Sequence, residues 1–110
     1  MREPPGAPLL AIGLMSGTSA DGVDAALVRI AGGKAAPLDF RSLPYAQALR
    51  RRVLEAGGEP GAATAEICSL HREIGEAFAQ AALELIAASG AARSEVSFIG
   101  SHGQTVRHLP

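Results

Sequence analysis

The chain has 110 residues, of which 47% are hydrophobic and 19% charged, a composition typical of one globular domain rather than a disordered protein. Its 10 basic and 11 acidic side chains leave a net charge of −1, which argues against nucleic acid as a partner because such binding needs excess positive charge. The one cysteine, Cys68, excludes an intrachain disulfide and is typical of a reducing, cytoplasmic compartment.

The first residues, 1–7, contain proline and glycine and are predicted to form a loose leader. The apolar run Leu9–Met15 follows, and it is shorter than the ~20 residues that a membrane helix needs. Glu3 offsets Arg2 and a glycine divides the run, so we interpret it as a central strand rather than a signal peptide. No association with a membrane is expected.

Two more strands are predicted directly after the first one. Val23–Ile30 is the second, and the turn signal "AGGK" leads into a weaker third strand at Leu38–Leu43. Three successive strands with short connections predict an antiparallel meander over residues 9–43.

Residues 45–89 are predicted to be helical. A short helix covers Tyr45–Ala56, where a pair of glycines ends it. A long amphipathic helix follows at about 62–88 and ends at Ser89-Gly90. Its apolar positions recur at helical spacing, at Ile67, Leu70, Ile74, Phe78, Ala81 and Leu85.

The fourth strand, Val96–Gly100, is reached through the long helix and is therefore expected to run parallel to its neighbour. We expect it to be buried beside Leu9–Met15, which would open the loops Ser16–Gly22 and Ser101–His108 at one edge of the sheet. The element order β-β-β-α-α-β predicts an α/β class, with helices packed on a mixed sheet.

The first loop is a candidate phosphate site. Gly17 and Gly22 have P-loop spacing, but Val23 and Asp24 stand where that motif needs Lys and Ser or Thr, and no Rossmann fingerprint is present. Backbone N–H groups of a tight turn, with the nearby hydroxyls, would suit phosphate, and Asp21 would suit phosphate-bound Mg²⁺. An ordinary hairpin loop is the alternative, and composition alone favours it.

The second loop, Ser101–His108, carries amide, hydroxyl and imidazole groups that suit sugar hydroxyls, although a merely solvated loop is the alternative. Two histidines there and the distant Cys68 are weak evidence for a metal site. Ser101 and His102 lack the elbow motif of a hydrolase. His71 and the run Arg50–Arg52 are interpreted as ordinary helix surface, with no function assigned.

Two segments, "IGLMSGTSADGVDAALV" and "FIGSHGQTVRHLP", strongly resemble the N-terminal part of the anhydro-N-acetylmuramic acid kinase family. That family belongs to the actin-like, sugar kinase and Hsp70 superfamily, whose lobes contain a ribonuclease H-like mixed sheet. The resemblance implies that residues 1–110 form part of an N-terminal ATPase or kinase lobe, with a strand and a substrate-side loop at 96–110.

The resemblance implies a carbohydrate kinase of peptidoglycan recycling. Such an enzyme uses ATP and Mg²⁺ to open the ring of 1,6-anhydro-N-acetylmuramic acid and phosphorylate it, giving N-acetylmuramic acid 6-phosphate. Asp21 would lie near the Mg²⁺, and the second loop would meet the amino sugar through His102, Gln104, Thr105 and His108. In the family the corresponding hairpin wraps the ATP phosphates, which implies nucleotide binding by Ser16, Gly17, Thr18, Ser19, Ala20, Asp21, Gly22, Val23 and Asp24.

Family members are longer than this chain, so the catalytic base and the adenosine site are expected beyond Pro110. No catalytic residue is assigned within the 110 residues, and the chain alone is expected to be inactive. The alternative is a non-catalytic module that binds nucleotide or docks a partner. The full-length protein is a candidate homodimer.

Overall fold

The computed structural model describes residues 7–109, so the predicted leader lies outside the described residues except for Ala7. Within the described part, four strands form one sheet in the order β3-β2-β1-β4. The elements in chain order are β1 (Leu9–Ser16), β2 (Gly22–Ala31), β3 (Lys34–Pro44), α1 (Gln47–Gly57), α2 (Thr64–Ser89) and β4 (Val96–Gln104). The predicted α/β class is confirmed, with a mixed, ribonuclease H-like sheet.

The first three strands form an antiparallel meander. Gly32 and Gly33 make the turn between β2 and β3 with φ values of 59° and 75°, the left-handed backbone that a two-residue hairpin requires. Strand β3 begins earlier than the predicted Leu38 and includes Pro37, beside a register shift in the ladder. This proline is tolerated because β3 is an edge strand, where a missing N–H costs no internal ladder bond.

Strand β4 runs parallel to β1, from Val96 opposite Leu10 to Gln104 opposite Ser16, which confirms the predicted pairing. It continues past the predicted end at Gly100, so part of the predicted loop is strand. The expectation that it is buried is wrong, since Phe98 and Ile99 are 48% and 51% exposed. The reason is position, because β4 is an edge strand and α2 packs over the other three strands.

The core lies between α2 and one face of the sheet. Ile12 and Leu27 of the sheet are nearly fully buried against this helix, as are Leu70 and Leu85 on the helix itself. Burial of each such side chain contributes about 1.5–3 kcal/mol. Ile67, predicted to be part of the buried stripe, is instead 42% exposed and lines an open cavity near the start of α2. No helix within residues 7–109 combines the length and apolarity needed to cross a membrane.

An ion-pair network joins the two helices. The Arg52 guanidinium of α1 donates to the carboxylates of Glu66 and Glu73 on α2. The hydrogen bond from Arg52 lowers the pKa of Glu73 below its ordinary value of 4.5. The Glu73 carboxylate therefore takes up a proton more readily in the unfolded chain than in the folded protein. The contribution of the Arg52–Glu73 pair to stability is complete above pH 4.5 and is lost as pH falls through the lowered pKa.

We expect Glu73→Gln to lower the Tm at pH 7 and to leave it unchanged in acid, because protonation removes the same charge from the wild-type protein. Thermal melting from pH 7 to pH 3 measures the difference. Glu76→Gln is the matched control, since Glu76 pairs only with the exposed Arg72 on the same helix and should have little effect at any pH. A Tm difference for Glu73→Gln that stays constant down to pH 3 would contradict the assignment.

Candidate functional site

The hairpin loop between β1 and β2 is held to the core by its own backbone. The Ala20 N–H donates to the Gly17 carbonyl at 3.1 Å, and the Asp21 carbonyl accepts from the Tyr45 N–H at 3.0 Å. Ala20 has φ 52°, an uncommon left-handed conformation for alanine, and its methyl group is fully buried. These contacts bury Ala20 while Thr18 and Ser19 stay exposed to solvent.

A polar cavity of about 320 Å³ lies beside this loop, between β1, β2 and the end of β3. Its lining includes the backbone at Gly17 and Gly22, together with hydroxyl and carboxylate side chains. The residues with these side chains are Ser16, Ser19, Asp21, Asp24 and Ser42. Ala20 and Val23, predicted to bind nucleotide, have side chains in the core, so only their backbone could meet a ligand.

Two glycines shape this cavity differently. A Cβ at Gly22 would lie 2.1 Å from the Leu43 carbonyl oxygen, so only glycine lets β2 start this close to β3. A Cβ at Gly17 would meet nothing within 4 Å, which leaves the backbone there open to an approaching group. Gly22 is therefore required by the fold, and Gly17 leaves room for a ligand.

Buried hydroxyls lie at the base of the loop. The Ser16 Oγ and the Tyr45 hydroxyl are both buried next to each other, and neither has a further hydrogen-bond partner within residues 7–109. Burial raises the pKa of Tyr45, and the hydrogen bond with the Ser16 hydroxyl partly offsets that rise. Ser16 therefore lies beside the Tyr45 hydroxyl at the wall of the polar cavity.

The two carboxylates of the loop have different partners. Asp24 Oδ1 accepts from the Ser42 Oγ at 2.6 Å, which ties it to β3. Asp21 is 76% exposed and its Oδ1 lies 3.3 Å from the Arg50 Nε. Arg50 also donates through Nη2 to the Ser19 carbonyl at 3.2 Å. Arg50 was predicted to be ordinary helix surface, since no local pattern could reveal a contact made across 31 residues.

The second loop joins the hairpin at the same sheet edge. Gln104 Nε2 donates to the Gly17 carbonyl at 2.8 Å and to the Thr105 carbonyl at 2.7 Å. The Thr105 N–H donates to the Ser16 carbonyl at 3.4 Å. Gln104 Oε1 is buried without a hydrogen-bond partner among the described residues. Gln104 and Thr105 therefore connect the two predicted loops directly.

A second cavity, of about 290 Å³, lies on the α2 side of β4. Gln104 and Ser101 line it together with apolar side chains of α2 that include Leu70 and Phe78. The two loops thus share an edge but line separate cavities. His102 and His108 are exposed and line neither of these two cavities, so their contact with a substrate stays a prediction.

The polar cavity carries oxygen donors that would suit a Mg²⁺ ion bound to phosphates. No cluster of three His, Cys, Asp or Glu side chains suited to a metal occurs between residues 7 and 109. A Mg²⁺ ion carried by phosphates keeps several waters and needs only one or two protein carboxylates. The exposed Asp21, with the Ser19 hydroxyl on the same cavity, offers this kind of oxygen donor.

Comparisons with known proteins agree on one family. The family model described as anhydro-N-acetylmuramic acid kinase matches residues 9–110. A protein of that name from Gloeobacter violaceus is 49% identical over 94% of this chain, and one from Caldanaerobacter subterraneus is 41% identical over 92% of it. A third, from Hydrogenovibrio crunogenus, is 38% identical over the whole chain. The chain spans 28%, 26% and 30% of these relatives' lengths, respectively.

Proposed function

The chain belongs to the anhydro-N-acetylmuramic acid kinase family, and from this premise we propose that it forms the phosphate-binding part of an ATP-dependent amino-sugar kinase. The proposed substrate is 1,6-anhydro-N-acetylmuramic acid. Water attacks its anomeric carbon, the bond from that carbon to O6 breaks, and O6 takes the γ-phosphoryl group of ATP. The water proton passes to a carboxylate base, and the products are ADP and N-acetylmuramic acid 6-phosphate.

The parallel pairing of β1 with β4 is the observation that carries this proposal. Phosphoryl transfer requires the acceptor oxygen and the γ-phosphate to meet in line, so the loops that bind them must share an edge. In this fold the ends of β1 and β4 do so, and Gln104 links them through the Gly17 carbonyl.

We assign the hairpin Ser16–Asp24 to the ATP phosphates. The open backbone at Gly17, together with the exposed Ser19 on the polar cavity, supports this assignment. Asp21 would hold the Mg²⁺, which when bound neutralises charge on the phosphates. We place the general base and the adenosine site in a region corresponding to the rest of the relatives' length, and neither Asp21 nor Asp24 serves as base.

The direct test is a kinase assay on the full-length protein with ATP and the anhydro sugar in ¹⁸O-labelled water. We expect mass spectrometry to find the label on the anomeric carbon and the phosphate on O6. A phosphorylated product with an intact anhydro ring would overturn the proposed reaction. ATP binding without any turnover would favour the alternative, a non-catalytic module that binds nucleotide or docks a partner.

Gln104 provides a separate test of the second loop. We expect Gln104→Ala to lower kcat/KM for the sugar at least about tenfold, because the Gly17 and Thr105 carbonyls lose the donor that joins the two loops. Steady-state kinetics at saturating ATP measures this effect. Gln80→Ala is the control, since the one side-chain hydrogen bond of Gln80 among residues 7–109 is to Glu84, on the exposed side of α2. An unaltered kcat/KM in Gln104→Ala would remove the second loop from the sugar site.

A further inference from the structure

We propose that Arg50 is a positioning residue of the hairpin loop, and that it sets how strongly nucleotide binding depends on Mg²⁺. The inference rests on the proposed function, because it concerns how the loop receives the phosphates. The ion pair between Arg50 and Asp21 has no role in the sequence motifs or in the proposed reaction.

The guanidinium of Arg50 contacts the hairpin loop at two residues, Asp21 and Ser19. Its Nε faces the Asp21 carboxylate at 3.3 Å, and its Nη2 donates to the Ser19 carbonyl at 3.2 Å. These contacts flank Ala20, the residue in the left-handed conformation. A planar guanidinium with several donors can hold two such acceptors at once, and an ammonium group does this less well.

Arg50 extends from α1, a helix that is tied to α2. The Arg50 N–H is already bonded to the Ala46 carbonyl in the first turn of α1. Two residues later, Arg52 ties α1 to α2 through Glu66 and Glu73. These contacts place Arg50 on a helix that is tied to the core, beside the hairpin loop.

The charges around the loop explain the link to Mg²⁺. Asp21 and Asp24 both line the polar cavity, and both repel a triphosphate. Among the described residues, Arg50 is the one cation paired with a carboxylate of this loop. Without Mg²⁺, Arg50 alone offsets the charge of Asp21. With Mg²⁺ bound to the phosphates, the metal offsets that charge and competes with Arg50 for the same carboxylate oxygens.

The ratio of two dissociation constants tests the inference. Calorimetry on the full-length protein gives the Kd of ATP in EDTA and in saturating Mg²⁺. We expect Arg50→Ala to raise the Kd in EDTA about tenfold and the Kd in Mg²⁺ less than about threefold. The Kd in EDTA divided by the Kd in Mg²⁺ should therefore increase. Arg50→Gln should act in the same direction. Arg51→Ala is the matched control, because Arg51 makes no ion pair within residues 7–109 and should leave both constants unchanged.

A merely structural role for Arg50 predicts a different result. If Arg50 only shapes the loop, its loss raises both constants by the same factor and leaves the ratio unchanged, which would overturn the inference. In an Asp21→Ala background, Arg50→Ala should no longer alter the ratio, and a persistent effect there would also overturn it. If the wild-type protein binds no ATP in either condition, the proposed function itself is overturned. If the wild type binds ATP but the ratio does not change in Arg50→Ala, only the inference about Arg50 is overturned.

Discussion

Replacing Asp21 with alanine is expected to lower the kcat of the full-length enzyme by about 10²–10³-fold, the typical cost of losing one electrostatic contact at a transferring group. The side chain is 76% exposed, and its one ion pair among the described residues is with the partly exposed Arg50. Such a surface pair contributes about 0–1 kcal/mol to stability, so the Tm should hardly move. Steady-state kinetics and thermal melting on the same preparation separate the two effects.

Asp39→Ala is the matched control for this substitution. Asp39 lies on β3, and within the described part of the chain its carboxylate accepts one hydrogen bond, from the neighbouring Phe40 N–H, so its removal should leave kcat unchanged. If Asp21 only stabilised the turn, Asp21→Ala would lower the Tm and leave the activity per folded molecule intact. That result would withdraw Asp21 from the proposed Mg²⁺ site.

The second large effect is expected at Gly22. A methyl group there would lie 2.1 Å from the Leu43 carbonyl oxygen and 2.6 Å from the Pro44 Cα, and both of these are backbone atoms that no rotamer change can move. Either β3 or the start of β2 must shift. We expect Gly22→Ala to cost about 3 kcal/mol of unfolding free energy and to lower the Tm by at least about 5 °C.

Two other glycines serve as controls for Gly22. Gly13→Ala places a methyl group in open space on β1 and should leave stability and activity unchanged. A methyl group at position 17 would also have no neighbour within 4 Å, so Gly17→Ala should preserve the Tm. The same substitution should weaken ATP binding, because the methyl group would occupy the approach to the loop backbone. A normal Tm for Gly22→Ala would mean that the close approach of β2 and β3 is not required.

Local patterns in the sequence were sufficient for the order and type of the elements. The glycine pair at 32–33 predicted a turn, Ser89-Gly90 predicted the end of the long helix, and alternation of apolar runs and turns predicted the strands. These features depend on residues a few positions apart, which is why they can be read along the chain. The motif "MSGTSADG" likewise indicated the loop and, through resemblance, the family.

The tertiary structure alone decided which groups meet at the site. Gln104 reaches Gly17 across 87 residues, and Arg50 reaches Ser19 across 31, because the parallel pairing of β4 and the placement of α1 bring them together. The exposure of β4 was likewise decided by its place at the sheet edge, although its apolar residues predicted burial. Hydrophobic periodicity specifies that a segment has an apolar face, whereas strand order and helix placement determine whether another element covers that face.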